Sequence, residues 1–112
     1  MPPITALDQF DFHHRLGATP GVALVLFTAP ACGACKRLRH ALHAAAWPDV
    51  TIYEVDGARD LALLREFGIH HLPALYLYRD GHFHCELQAE AQPEALRRAL
   101  ERALSLPAAE AP

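Results

Sequence analysis

"TAPACGACKRL", residues 28–38, sets two of the chain's three cysteines two residues apart, directly after the all-apolar run Val22–Phe27. A run apolar at every position marks a strand buried on both faces. The segment after Cys32, "GACKRLRHALHAAA", is rich in helix formers. Cys35, Leu38, Leu42 and Ala45 recur at helical spacing, with Lys36, Arg37, Arg39, His40 and His43 mostly off that stripe. Cys32 is thus expected at the carboxyl end of a strand and the amino end of a helix. Unpaired N–H groups and the helix dipole favour negative charge there. A thiolate in that position has a lowered pKa, and the thiolate is the attacking species. Cys35, one turn further in, falls on the buried stripe. The spacing lets the two bridge, the exposed sulfur attacking a partner disulfide and the shielded one resolving the mixed intermediate.

Working outward, Thr5 with Asp8 three residues later predicts a capping box that opens a helix bearing Leu7, Phe10, Phe12 and Leu16. Gly17 and "TPG" end it. With four residues before that helix, an opening strand is short or absent. Trp47-Pro48 closes the helix after the cysteines. "VTIYEVD" (50–56) alternates as a strand, and "ARDLALLREFG" gives a short helix stopped by Gly68. In "IHHLPALYLYRDGHFHCEL" the Asp80-Gly81 pair signals a hairpin. "QPEALRRALERALSL" stripes Leu96, Ala99, Leu100, Ala103 and Leu104 along one helix face, and "PAAEAP" reads as a frayed tail. Alternation of this kind predicts an α/β fold: a central mixed sheet, parallel in part, with helices on both faces.

At 112 residues the chain is expected to be one domain, 1–112, with its core over about 5–105 and a tail over 106–112. Apolar residues are 52% and charged ones 21%, ordinary for a globular protein. A formal net charge of −3, with no Lys/Arg cluster on one face, argues against nucleic acid as a partner. "MPPITALDQFDFHH" lacks a basic start and apolar core, so it is not a signal peptide. The longest apolar run is too short to cross a bilayer, so no membrane is expected. The reducing cytoplasm follows as the compartment, where a stable structural disulfide is disfavoured.

A Cys-x-x-Cys pair is half of a zinc site, and structural zinc wants four donors. The other candidates lie in "HFHCE". Alternation sends Cys85 inward with Phe83 and Leu87, and His82, His84 and Glu86 the other way. Cys85 is read as a small buried apolar side chain, and no metal site is expected. A zinc-binding variant stays as a third reading, open to metal analysis. His13, His14, His40 and His43 are read as exposed helix faces.

These residues resemble the thioredoxin family. "VALVLFTAPACGACKRL" looks like that family's strand, redox motif and helix, and "FGIHHLPALYLYRDGHF" like the stretch leading to its cis-proline and hairpin. The likeness runs from about Ala18 to Leu104. It implies a thioredoxin-like fold in which Cys32 is the nucleophile and Cys35 the resolving thiol. It also implies that Pro73 is a cis-proline facing the pair, and that Leu72 pairs its backbone with a bound substrate strand. Ala31, Gly33, Ala34 and His71 complete the implied substrate surface.

The chain departs from the family pattern at several points. Ala34 stands where proline is typical, and Ala31 and Thr28 where aromatics are. Leu26 occupies the position of a buried aspartate, and Glu54 that of a lysine. Glu54 is expected to reach the space behind Cys35 as a proton acceptor, with an exposed strand glutamate as the alternative. His71, where glycine is common, is expected to border the substrate and, when protonated, favour the Cys32 thiolate. The function implied is thiol–disulfide exchange by a monomer that reduces protein disulfides. It needs no metal or organic cofactor and is recycled by a reductase or small thiol. The rival is a thioredoxin-like module that binds one partner with little turnover.

Overall fold

The chain alternates strand and helix in the order β1 (Ile4–Leu7), α1 (Phe12–Gly17), β2 (Val22–Thr28), α2 (Gly33–Ala45), β3 (Val50–Asp56), α3 (Leu61–Phe67), β4 (Ala74–Arg79), β5 (His82–Leu87) and α4 (Pro93–Leu104). The structure is a computed structural model that describes residues 4–112; Met1–Pro3, the start of the amino-terminal stretch, lie outside the described residues. The strands form one sheet in the order β1-β3-β2-β4-β5. β1 and β2 both run parallel to β3, while β4 is antiparallel to β2 and to β5.

β2 lies at the centre, and its alternation explains the helices on both faces. Leu24 and Leu26 point to one side, where they pack with Leu38 and Leu42 of α2 and Leu96 and Leu100 of α4. Ala23, Val25 and Phe27 point to the other, against Phe12 and Leu16 of α1 and Leu63 of α3. The first layer is aliphatic. The second is aromatic: Phe27 meets Tyr76 edge-on with ring centroids 5.3 Å apart, and Phe12, Phe67, Tyr78 and Phe83 extend the stack.

The amino-terminal expectation is corrected. Ile4–Leu7 is a strand in register with Ile52–Val55, and the helix starts only at Phe12. Thr5 makes no cap; instead a reciprocal pair of hydrogen bonds joins Asp8 and Asp11 across the turn before α1. The Asp8 N–H donates to Asp11 Oδ1 (2.8 Å) and the Asp11 N–H to Asp8 Oδ1 (3.0 Å). Phe10 is 87% exposed and packs no helix face.

The hairpin forms at Asp80-Gly81, both in the left-handed region (φ 51° and 82°), as a two-residue turn requires. Gly81 is needed for a second reason: a Cβ there would lie 2.4 Å from the Gly17 carbonyl oxygen. Past the turn, a bulge changes the expected alternation. Tyr78 pairs with Phe83 and Leu77 with Cys85, so His84 is the extra residue. Phe83 therefore joins the aromatic layer, while Cys85 and Leu87 lie on the aliphatic side. His84, expected to point away from the core, is buried, with Nε2 2.7 Å from the Ala103 carbonyl oxygen. Since a carbonyl only accepts, Nε2 carries the proton. Residues 106–112 carry no helix or strand, yet the Ala109 N–H donates to the His84 carbonyl (2.7 Å).

Candidate functional site

Cys32 is the N-cap of α2, with extended φ/ψ of −102° and 105°, after Ala31 in the left-handed region (φ 60°). That reversal takes the chain off the end of β2 and aims the first turn of α2 at the sheet rim. The Cys35 N–H donates to Cys32 Sγ at 3.1 Å, so sulfur fills the capping role usually taken by a side-chain oxygen. Cys32 and Cys35 form a disulfide, their Cα atoms 5.2 Å apart. Cys32 is half-buried, whereas Cys35 is 1% exposed. Once the bond opens, the same N–H and the other free donors of the helix start face a sulfur able to carry charge. The two sulfurs are thus unequal in exposure and in backbone donors.

The second segment reaches the same rim from the other side. Ala74 is in register with Phe27, so the residues just before it run alongside the exit of β2. The Leu72–Pro73 peptide bond is cis. Leu72 and Pro73 are half-buried and His71 is exposed. His70, His71 and Pro73 border a groove of about 520 Å³ that continues to Tyr76 and Leu87. A separate cleft of about 320 Å³ is walled by Ala29–Gly33 together with Lys36 and Arg39. Of the expected surface, Ala31 and Gly33 line that cleft and are exposed, as Cys32 is in part; Ala34 is half-buried and lies outside it.

Glu54 lies on the face of β3 that meets α2, in register with the fully buried Leu26. It accepts from Thr28 Oγ1 (2.7 Å) and from Arg39 Nε (3.0 Å to Oε1). Burial pushes its carboxyl up, but the Arg39 and Thr28 hydrogen bonds, helped by the charges of Arg39 and His43, outweigh this and hold it below the usual range. Glu54 is therefore an anchored anion with both oxygens engaged. In the sequence Thr28 stands out only as replacing an aromatic and Arg39 only as a cation off the buried stripe; neither is expected to hold Glu54. The available signal was position: Arg39 follows Cys35 by one helical turn, on the edge of the buried stripe.

Cys85, the third cysteine, is half-buried in a groove of about 680 Å³ between β5 and α4. Burial pushes its thiol up. Among the described residues no group of three or more His, Cys, Asp or Glu is placed to hold a metal ion. No helix among them is long and apolar enough to cross a membrane.

A family model described as Thioredoxin matches residues 3–102. The chain is 40% identical over 80 residues to thioredoxin of Chlamydia muridarum, covering 70% of this chain and 76% of that protein. It is 36% identical over 81 residues to protein disulfide-isomerase A3 of Gallus gallus, covering 70% of this chain and 16% of that protein. The chain thus spans about a sixth of the length of the isomerases it matches. Among solved structures, the zinc-bound form of human ERp44 superposes with a TM-score of 0.78 at 24% identity, over 89% of this chain and 32% of that one. Malassezia sympodialis thioredoxin superposes with a TM-score of 0.74 at 20% identity, over 92% of each chain. Both likenesses establish a thioredoxin-like α/β fold.

Proposed function

Because the chain belongs to the thioredoxin family, we propose that it is a thiol–disulfide oxidoreductase that reduces protein disulfides through Cys32 and Cys35. The observation that carries this reading is the asymmetry of the pair: a half-buried Cys32 capping α2, bridged to a Cys35 that is 1% exposed. In the reduced protein, the Cys32 thiolate attacks one sulfur of the substrate disulfide. The other substrate sulfur leaves as a thiolate and takes a proton from water. Cys35 then gives up its proton and displaces the second substrate sulfur, and the Cys32–Cys35 bond forms. Two electrons pass to the substrate.

The chemistry uses only the two sulfurs, so a reductase or small thiol in a reducing compartment such as the cytoplasm must regenerate the dithiol. Leu72, held by the bond to Pro73, gives the substrate strand its backbone contact, with His71 beside it. The Cys35 proton passes to water in this reading. Glu54 is a weak base with Arg39 and Thr28 on its oxygens. Its part is to hold Arg39 against the sheet.

Insulin reduction by the full chain, with dithiothreitol as recycling thiol, tests the activity. Cys35→Ser should accumulate mixed disulfides with substrate and Cys32→Ser none. The buried Leu26, at the family's aspartate position, favours the rival of a binding module. That rival is supported if insulin is not reduced while both variants retain the same partner.

A further inference from the structure

α2 carries Lys36, Arg37, Arg39, His40 and His43 and no acidic residue, although the whole chain has a formal net charge of −3. Its cations are not equivalent. Arg39 is neutralised by Glu54, and both pack against the sheet. Lys36 and Arg37 are exposed, and neither joins an ion pair among the described residues. Lys36 lines the cleft beside Cys32 and also the adjoining groove of about 470 Å³ that Arg37 and His40 border. Arg37 folds back over the start of the helix, its Nη1 3.5 Å from where a Cβ on Gly33 would lie. Two unpaired cations thus sit on the first turns of the helix that Cys32 caps, Lys36 on the cleft wall and Arg37 over Gly33, while Arg39 on the same wall is neutralised by Glu54.

We propose that Lys36 and Arg37 are specificity-determining residues that select disulfides flanked by acidic side chains on a partner polypeptide. This deepens the reductase reading and rests on it. An acidic segment laid across the cleft and on into the adjoining groove brings carboxylates to Lys36 and Arg37 as its disulfide meets Cys32. That raises the encounter rate and fixes the orientation for attack. The exchange itself is unchanged: the Cys32 thiolate bonds one substrate sulfur, and the other leaves as a thiolate and is protonated by water. Because the cations are exposed, the preference is screened by salt.

The test uses the full chain, chemically reduced, in single-turnover reactions with three synthetic disulfide peptides that differ only in carrying Glu, Gln or Lys beside the cysteines. Each rate is divided by that of the same peptide with dithiothreitol, which removes the peptide's own reactivity. The Glu peptide should react about tenfold faster than the Lys peptide at about 20 mM salt, and about twofold faster at about 500 mM. In K36Q/R37Q the ratio should fall to about one, and in K36E/R37E it should invert. A ratio is read because losing these cations also changes the Cys32 thiolate, which slows all three peptides alike. A wild-type ratio near one at low salt, with the Gln peptide still reduced, overturns the selectivity and leaves the reductase reading standing. If no peptide is reduced, the reductase reading fails and the selectivity with it.

Discussion

Cys32 and Cys85 are both half-buried thiol positions in one small protein, and exposure does not tell them apart. What differs is the backbone beneath them. Cys32 caps a thirteen-residue helix and receives the Cys35 N–H. Cys85 lies on an edge strand against apolar neighbours, where burial pushes its thiol up. The same side chain is thus set for charge at the helix start and held neutral at the edge. Reactivity follows from local donors and dielectric, more than from access to solvent.

The comparison breaks most directly at the helix start. Cys32→Ser should lower insulin reduction by about a thousandfold or more, since no other thiol is poised to attack. If activity survived on Cys85, the contrast between the two positions would be lost.

A change far from the rim should separate folding from chemistry. Gly81→Ala places a Cβ against the Gly17 carbonyl at a left-handed φ of 82°. It should cost about 2–4 kcal/mol in urea unfolding, while the rate per folded molecule stays near wild type.

Glu54→Gln should cost about 1–2 kcal/mol at neutral pH, by removing a partly buried anion from Arg39 and Thr28. The folded-state pKa of Glu54 is depressed. Its contribution is therefore present above the ordinary carboxylate range, near about pH 4, and is lost as pH falls through the folded value. The wild-type and variant stability curves should converge in acid. A variant gap that widened there would reverse the assigned sign.

The smallest effect belongs to the edge strand: Cys85→Ser should change the reduction rate by less than about twofold.

Most of the fold was legible because its strongest signals are local. The all-apolar Val22–Phe27 run, the Asp80-Gly81 turn and the stripe through Leu96 and Leu100 each map onto one element. The misread amino terminus shows the limit. Thr5 and Asp8 have the spacing of a cap, but Ile4–Leu7 gains more by pairing with β3, a strand some fifty residues away. His84 was misplaced because one bulge residue reverses the parity of everything before it. At the site, the cysteine pair and the Leu72–Pro73 segment were readable as motifs. Arg39 and Thr28 were not, because their joint contact with Glu54 exists only once α2 lies across β2 and β3.

The central claim is that the start of α2 makes one sulfur an accessible anion. The pH dependence of iodoacetamide alkylation in the fully reduced protein, followed by mass spectrometry at Cys32 and Cys85 separately, measures it directly. Cys32 should titrate well below the free-cysteine value of about 8.5 and Cys85 above it. Equal midpoints, or a Cys32 midpoint at or above the free value, would contradict the account.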